Sequence, residues 1–257
     1  MLWVITEFAM IYEAFLLSLI AGSATGIGGL FIVSQGRISD RFVASSMGFA
    51  SGVMLLVSFI NLFVEALDLT SYLNVSLAFA IGSITMIIID SLLPHLELGR
   101  REDGVIKSKL FQSGVLILIG ITLHNIPEGV VVSAGYSHLP QLGTLIAVAV
   151  FFHNIPEGIA TAVPLSSAGM KKRDVVLVTF ISGLAEPLGA LLGSVFLINA
   201  SEEVIGLALA FAAGVMTYIT ADELIPIAHE YGHKHAVSIG ILLGIIFMMF
   251  LNILLGP

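Results

Sequence analysis

Eight long apolar stretches follow one another along this chain, separated by short connections that contain charged, Gly or Pro residues. Each stretch reaches the roughly 20 residues that a helix needs to cross ~30 Å of hydrocarbon. None shows the alternating pattern of barrel strands, and all are longer than such strands. The sequence therefore predicts an all-α fold, a polytopic membrane bundle of eight transmembrane helices. The predicted spans are 10–33, 43–66, 73–94, 111–136, 141–164, 174–199, 203–228 and 235–255.

The composition agrees with a chain embedded in lipid. Of its 257 residues, 57% are hydrophobic and 11% are charged, and the mean hydropathy is +1.05. Eight spans with short loops use almost the whole length, so residues 1–257 are predicted to form a single membrane domain. No length remains for a soluble catalytic domain, and any function has to lie among the helices.

Two features of the composition exclude whole classes of function. The chain has no cysteine, which removes disulfides, thiolate metal ligands and cysteine nucleophiles. A metal site would therefore use nitrogen and oxygen ligands. The formal net charge of −8 leaves no basic stripe to neutralise phosphates, so nucleic acid is not a predicted partner.

All ten basic residues lie in connections that follow odd-numbered spans. Because basic residues accumulate on the cytoplasmic side of membrane proteins, these connections are predicted to be cytoplasmic and both termini to lie outside. Acidic residues at the opposite ends would attract cations, although outer loops also lack basic residues for reasons of insertion alone. The basic residues are Arg37, Arg41, Arg100, Arg101, Lys107, Lys109, Lys171, Lys172, Arg173 and Lys234.

The string His-Asn-Ile-Pro-Glu-Gly occurs twice, at 124–129 in span 4 and at 153–158 in span 5. Each copy starts about 12 residues into its span, roughly 18 Å along a helix and therefore near the bilayer centre. The two spans run in opposite directions. The two copies are consequently predicted to meet at one depth on facing helices.

Within each copy the spacing suits a ligand site, because residues three or four apart lie on one face of a helix. His124 and Glu128 share a face, and Asn125 lies three residues before Glu128; His153, Asn154 and Glu157 repeat the pattern. The proline in each motif lacks an N–H, which predicts a kink and a free backbone carbonyl beside these side chains. Freed carbonyls at mid-membrane are typical of transporter binding sites.

Carboxylates in the middle of the membrane need a cationic partner. Glu128, Glu157 and Glu186 are predicted to lie there, each at a cost of ~2.5–3.5 kcal/mol, and no Lys or Arg falls in the middle of a span. Protonation or a bound cation must compensate. Imidazole with carboxylate and amide oxygens suits Zn²⁺, Fe²⁺, Mn²⁺ or Cd²⁺ better than Ca²⁺ or Mg²⁺. Glu186, next to Pro187, is either a third wall of the site or a protonated glutamate bonded to a neighbouring helix.

Further polar residues stand near the span ends and have two interpretations. Those on span 2 form either a cation entrance or an interfacial polar cap. Those at the cytoplasmic ends of spans 3 and 7 either receive the departing ion or are solvated helix termini. The candidates are Asn61, Glu65 and Asp68 for the entrance, and Asp90, His95, Glu223 and His229 for the exit.

Two functions of other classes are weighed against transport. His124 and His153 could be axial ligands of haem in a membrane redox protein, but such a site needs no glutamate four residues after each ligand. An intramembrane metalloprotease would typically show His-Glu-x-x-His, and this chain does not contain that string.

The motifs together resemble the ZIP family of divalent metal transporters, in its short prokaryotic form. The two hexapeptides on spans 4 and 5 carry most of the resemblance. Segments 23–29 of span 1, 183–187 of span 6 and 222–226 of span 7 also resemble the family at corresponding positions.

The resemblance implies an inverted repeat of spans 1–3 and 6–8 around spans 4–5, and uptake of a divalent cation, zinc first, into the cytoplasm. A prokaryotic plasma membrane and a homodimer are the expected setting, with no catalytic cofactor and no enzymatic activity. By position, four side chains would hold the ion, and three others would complete an adjacent or second site. The first group is His124, Glu128, His153 and Glu157, and the second is Asn125, Asn154 and Glu186.

Overall fold

The computed structural model of this chain describes residues 2–35, 38–92, 106–197 and 199–256. Within those ranges every regular element is a helix. We number the eight helical spans in chain order. They are α1 (Leu2–Gln35), α2 (Asp40–Leu69), α3 (Tyr72–Leu92), α4 (Ile106–His138), α5 (Pro140–Ser167), α6 (Lys172–Leu197), α7 (Glu202–Glu230) and α8 (Lys234–Leu255).

Seven of these helices, all except α4, are long and apolar enough in their described residues to cross a membrane. The helix α4 reaches membrane length with 33 residues. Large apolar side chains are exposed along the outer faces, for example Ile81 and Ile84 on α3 and Phe250 and Ile253 on α8. An apolar surface of this kind is stable only in lipid. The predicted all-α, multi-pass membrane architecture is confirmed.

A one-residue connection between α4 and α5 sets the depth of the two hexapeptides. Leu139 is extended (φ −138°, ψ 123°), as expected of a residue that precedes a proline, and Pro140 begins the next helix. His124 lies 15 residues before Leu139 and His153 lies 14 residues after it. The two motifs therefore stand side by side in an antiparallel helical hairpin.

In the ranges that the structure describes, three helices depart from regular α geometry. In α2, Val57–Phe63 form a π-helical segment, and in α7 a second one spans Thr220–Leu224. The helix α6 is interrupted at Leu184, between Lys172–Gly183 and Ala185–Leu197. By contrast, α4 and α5 continue through Pro127 and Pro156 without an interruption. Pro226 accounts for the second π segment in part, because it cannot donate to the carbonyl of Asp222.

Glycines divide the helices into two tightly packed groups. A Cβ on Gly22 or Gly183 would overlap the other helix of the α1–α6 pair, and glycines likewise bring α1 against α5, α4 against α6 and α4 against α5. A separate set brings α2 against α8, α3 against α7 and α2 against α7. We call α1, α4, α5 and α6 the site bundle and α2, α3, α7 and α8 the outer bundle.

Candidate metal site

Three side chains of the two hexapeptides meet where α4 and α5 face each other. Glu128, His153 and Glu157 each offer one ligand atom, and these atoms lie within 4.8 Å of one another. His153 Nε2 is 3.1 Å from Glu128 Oε1 and 3.7 Å from Glu157 Oε1. We call these three residues the central cluster. One nitrogen and carboxylate oxygens at this separation can converge on a single small cation.

The central cluster is sealed from solvent and short of hydrogen-bond donors. All three residues have at most 1% relative exposure. Both carboxylate oxygens of Glu157 and Oε2 of Glu128 have no hydrogen-bond partner. Buried polar atoms are normally paired, because an unpaired one keeps the full cost of leaving water. The arrangement satisfies its oxygens only when a proton or a cation joins it.

A second set of polar side chains, Asn125, Asn154 and Glu186, surrounds the interruption of α6. Asn154 Nδ2 donates to the Ala21 carbonyl oxygen at 3.0 Å and also to Glu186 Oε1. Asn125 Nδ2 donates to the Ser182 carbonyl oxygen at 3.1 Å, just before the break at Leu184. All three residues are fully buried. We call them the asparagine group.

The asparagine group also keeps oxygen atoms unpaired. Oδ1 of Asn125, Oδ1 of Asn154 and Oε2 of Glu186 have no hydrogen-bond partner. The amide nitrogens are turned towards backbone carbonyls, so the amide oxygens are left for another ligand. Amide and carboxylate oxygens are acceptable ligands for a divalent cation.

His124 is not one of the three residues of the central cluster and pairs with a carboxylate on another helix. Its Nε2 lies 3.0 Å from Glu223 Oε1 on α7, although the two atoms are not aligned for a hydrogen bond. The His124 side chain is buried, whereas that of Glu223 is 22% exposed. This pair joins the site bundle to the outer bundle next to the central cluster.

Glycines hold the backbones close around both groups. A Cβ on Gly129 would overlap the carbonyl oxygen of Glu186, and one on Gly158 would overlap the carbonyl oxygen of Thr25. These are the last residues of the two hexapeptides, so the motif supplies polar ligands and close helix contact together. The polar side chains are consequently fixed between α1, α4, α5 and α6.

Comparison with known proteins identifies the family of this chain. The family model described as ZIP zinc transporter matches residues 100–252, which is more than half of the chain. The chain belongs to the ZIP family. Both hexapeptides, the asparagine group and Glu223 lie inside the matched segment.

Curated relatives of this ZIP protein match over almost its whole length. The zinc transporter ZupT of Chlorobaculum parvum is 38% identical, covering 94% of this chain and 97% of the relative. The same-named proteins of Chlorobium phaeovibrioides and Streptococcus mutans are 40% and 37% identical, covering 96% and 93% of this chain and 99% and 96% of their own lengths. The relatives are transporters and not enzymes, and the protein is a membrane transporter of the divalent-metal class.

At one end of the bundle, this ZIP protein pairs several of the residues suggested as a cation entrance. Glu65 Oε1 lies 2.7 Å from Nε2 of His138, the last residue of α4. Asn61 is buried and donates to Oδ1 of Asn252 at 2.7 Å, so it faces α8. Asp68 is exposed. Of the suggested entrance residues, Glu65 and Asp68 are therefore the two that reach solvent.

The suggested exit residues are dispersed. Asp90 accepts a hydrogen bond from the Tyr218 hydroxyl at 3.1 Å, and Glu223 lies beside His124. His229 is exposed, with Nδ1 2.8 Å from the Ile225 carbonyl oxygen. His95 lies outside the described residues. Glu223 is the one described exit candidate that contacts a hexapeptide residue.

Sequence reasoning missed some polar partners. His138 lies in no motif, and its contact with Glu65 depends on how α2 packs on α4. The Ser182 carbonyl carries no sequence signal, because any residue there would supply a carbonyl oxygen. Thr25 has a buried hydroxyl without a partner beside Gly158 and Gly183; its position in the span 1 motif was the available signal.

Proposed function

We propose that this protein is a secondary transporter that carries Zn²⁺, and also Fe²⁺, Mn²⁺ or Cd²⁺, into the cytoplasm through a midplane site. The observation that carries the proposal is the central cluster, Glu128, His153 and Glu157. The cluster is buried, one ligand atom from each residue lies within 4.8 Å of the others, and three of its carboxylate oxygens have no hydrogen-bond donor. The ion is the substrate of this site.

A divalent cation is the partner that these carboxylates require. Glu128, Glu157 and Glu186 are all fully buried, and no Lys or Arg reaches them among the described residues. Isolated buried carboxylates are costly, and a dication offsets two of them at once. The histidine nitrogen favours a transition metal over Ca²⁺ or Mg²⁺.

The proposed ligands follow from distances and unpaired atoms. Glu128, His153 and Glu157 hold the ion, and His124 joins them by turning from Glu223 towards the cluster, which gives the four N/O ligands typical of zinc. Asn125, Asn154 and Glu186 form the adjacent or second site. Zinc ranks first because the relatives are named zinc transporters.

The close helix contacts support the inverted repeat of α1–α3 and α6–α8. Exchanging α1 with α6, α2 with α7, α3 with α8 and α4 with α5 maps the α4–α6 glycine contact onto α5–α1, and α2–α8 onto α7–α3. The two π segments, in α2 and α7, also correspond under this exchange. Such repeats are common in transporters that work by alternating access.

We infer that access alternates through movement between the site bundle and the outer bundle. Among the described residues, the side-chain polar contacts between these bundles include His124–Glu223 and His138–Glu65. Each can break and re-form without disturbing a glycine contact. Glu65 and Asp68 would attract the ion outside, and Glu223 and His229, with Asp90 and His95, would receive it on the cytoplasmic side.

The orientation and setting are part of the proposal. The basic connections would lie in the cytoplasm and both termini outside, in a prokaryotic plasma membrane. A homodimer stays a prediction from the family resemblance. Haem binding is not favoured, because Nε2 of His124 and Nε2 of His153 both face carboxylates at 3.0 and 3.1 Å.

Metal entry into liposomes tests this function. Purified protein is reconstituted around a trapped fluorescent chelator and offered Zn²⁺, Fe²⁺, Mn²⁺ and Cd²⁺ separately. The double variant Glu128→Ala, Glu157→Ala should lose flux of every ion, because it removes most of the oxygen ligands. Glu202→Gln is the matched control, since Glu202 is exposed in the first turn of α7.

The wild-type protein should transport zinc fastest, and the control should retain most of that rate. Equal flux through the wild type and the double variant would overturn the midplane site. Absence of any flux from folded wild-type protein, together with a Soret band, would instead assign the two histidines to haem.

A further inference from the structure

An apolar groove runs along the outside of the site bundle between α1 and α6. It has a volume of about 740 Å³, within the ~300–1,000 Å³ range of ligand sites. Its walls come from Gly26, Leu30 and Val33 on α1 and from Val176 and Phe180 on α6. Leu30 and Phe180 are 55% and 40% exposed. The groove therefore opens to the surroundings of the bundle, and no residue of the central cluster or of the asparagine group lines it.

Small residues on α1 create this groove. A Cβ on Gly26 would overlap the ring of Phe180, and one on Gly29 would overlap the side chain of Thr179. As the numbers rise along α1, the partners on α6 fall, so the two helices are antiparallel. The two helix backbones are close at the glycines, and the larger side chains that flank these glycines form the walls of the groove.

One end of the groove is cationic. Lys172 and Arg173 line it where α6 begins. With Lys171 and Asp174, the segment 171–174 has three basic residues and one acidic residue, and all four are exposed. Among the described residues, no carboxylate forms an ion pair with Lys172 or Arg173. Two positively charged side chains thus lie at one end of the apolar groove.

The length of the groove matches one leaflet of a bilayer. Its wall on α1 extends from Ser23 to Val33, about 15 Å at the helical rise, and half of the ~30 Å hydrocarbon core is the same distance. With α1 and α6 spanning the bilayer, the charged end would lie at the membrane surface and the other end near the bilayer centre. An acyl chain fits this depth, and an anionic headgroup fits the charge.

We propose that this groove is a binding site for one anionic phospholipid. Its acyl chains would lie between α1 and α6, and its phosphate would contact Lys172 and Arg173. The assignment to the cytoplasmic leaflet rests on the proposed orientation, whereas the site itself does not depend on which metal is carried. Basic pockets between transmembrane helices bind anionic lipids in this way.

Native mass spectrometry of the full chain, released from detergent with added lipid, tests the proposal. Phosphatidylglycerol and phosphatidylcholine with identical acyl chains are compared. The wild type should bind phosphatidylglycerol about 25-fold better, because each of two basic residues near an anionic headgroup favours it about fivefold. Lys172→Gln with Arg173→Gln should remove this preference.

Two further variants distinguish lipid binding in the groove from a general electrostatic attraction to basic residues. Leu30→Trp fills the groove and should lower binding of both lipids, with the preference for phosphatidylglycerol unchanged. Lys234→Gln removes an exposed charge at the start of α8 and should change nothing. Thermal unfolding in detergent confirms that each variant is folded.

Three results would overturn the lipid site. They are equal binding of both lipids by the wild type, an effect of Lys234→Gln as large as that of the groove variants, and a dimer mass that Leu30→Trp abolishes. The last result would assign the groove to a second copy of the chain. None of these readouts involves metal flux, so they are independent of the transport proposal.

Discussion

Glu157 is the residue whose surroundings depend most on a bound cation. Both of its oxygens are buried without a donor, and its nearest basic group is His153 at 3.7 Å. Glu128, by comparison, has a histidine nitrogen at 3.1 Å on one oxygen. A divalent cation bound between them would take oxygens of both glutamates as ligands.

Replacing Glu157 with Gln should therefore weaken zinc binding at least 100-fold. Ligand binding stabilises the folded state by RT ln(1 + [L]/Kd), so a zinc concentration between the dissociation constants of the two proteins should raise the melting temperature of the wild type in detergent but not that of the variant. Thermal unfolding with and without zinc measures both. Glu202→Gln should keep the zinc-induced shift, and an unchanged shift in Glu157→Gln would remove Glu157 from the ligand set.

Asn154 has a structural part in the site as well as a proposed ligand oxygen. Its amide nitrogen donates to the Ala21 carbonyl on α1 and to Glu186 on α6. Asn154→Ala leaves the buried Glu186 Oε1 without its donor and removes the side-chain bond between α5 and α1, which should destabilise the protein by about 1–3 kcal/mol. Chemical or thermal unfolding compares it with Asn74→Ala, whose amide is only partly buried. A smaller loss in Asn154→Ala than in Asn74→Ala would contradict this role.

At the scale of the elements, glycine contacts keep the two hexapeptide helices in place. Gly129 and Gly120 lie on the same helix, α4, in different surroundings. A Cβ on Gly129 would overlap the Glu186 carbonyl, whereas one on Gly120 would meet only Glu223 Oε2 at 3.8 Å. The site geometry thus depends on the absence of a single methyl group.

We expect Gly129→Ala to destabilise the protein by about 1–3 kcal/mol, since the overlap forces α4 and α6 apart. Gly120→Ala should be close to neutral or slightly stabilising, because alanine is the better helix former. Melting temperatures of the two variants in one detergent measure the difference. Equal melting temperatures would show that α4 and α6 are not held together at Gly129.

Regular elements were readily predicted and irregular ones were not. All eight predicted spans correspond to helices, because apolar length is a property of the sequence itself. The π segment of α2 has no proline or other local signal, and depends on how Val57–Phe63 pack against α7. The prolines of the hexapeptides predicted a kink in each helix, which stays a prediction; both helices continue through Pro127 and Pro156.

In the candidate site, contacts within one helix or one helical hairpin could be predicted, and contacts between distant spans could not. The i, i+4 spacing in the motif brought His153 and Glu157 to one face, and the helical hairpin brought Glu128 to them. The direction of His124 could not be predicted, because its contact with Glu223 depends on the position of α7. Contacts between distant spans require the assembled bundle.

For the whole molecule, the absence of native cysteine allows the membrane orientation to be tested directly. Ser71→Cys, between α2 and α3, and Ser167→Cys, at the end of α5, both replace exposed residues. In intact cells a membrane-impermeant maleimide should label the cysteine at 71 but not the one at 167. Permeabilised cells should show labelling of both, and the reverse pattern in intact cells would invert the proposed topology.

The central claim is that a transported zinc ion is held by the imidazoles and carboxylates of the two hexapeptides. X-ray absorption at the zinc edge, on protein loaded with one equivalent, reads those ligands directly. We predict nitrogen and oxygen ligands at about 2.0–2.1 Å with imidazole scattering. That scattering should disappear in His124→Gln with His153→Gln and persist in His229→Gln with His233→Gln. Imidazole scattering that survives the first pair of substitutions, or vanishes with the second, would contradict the claim.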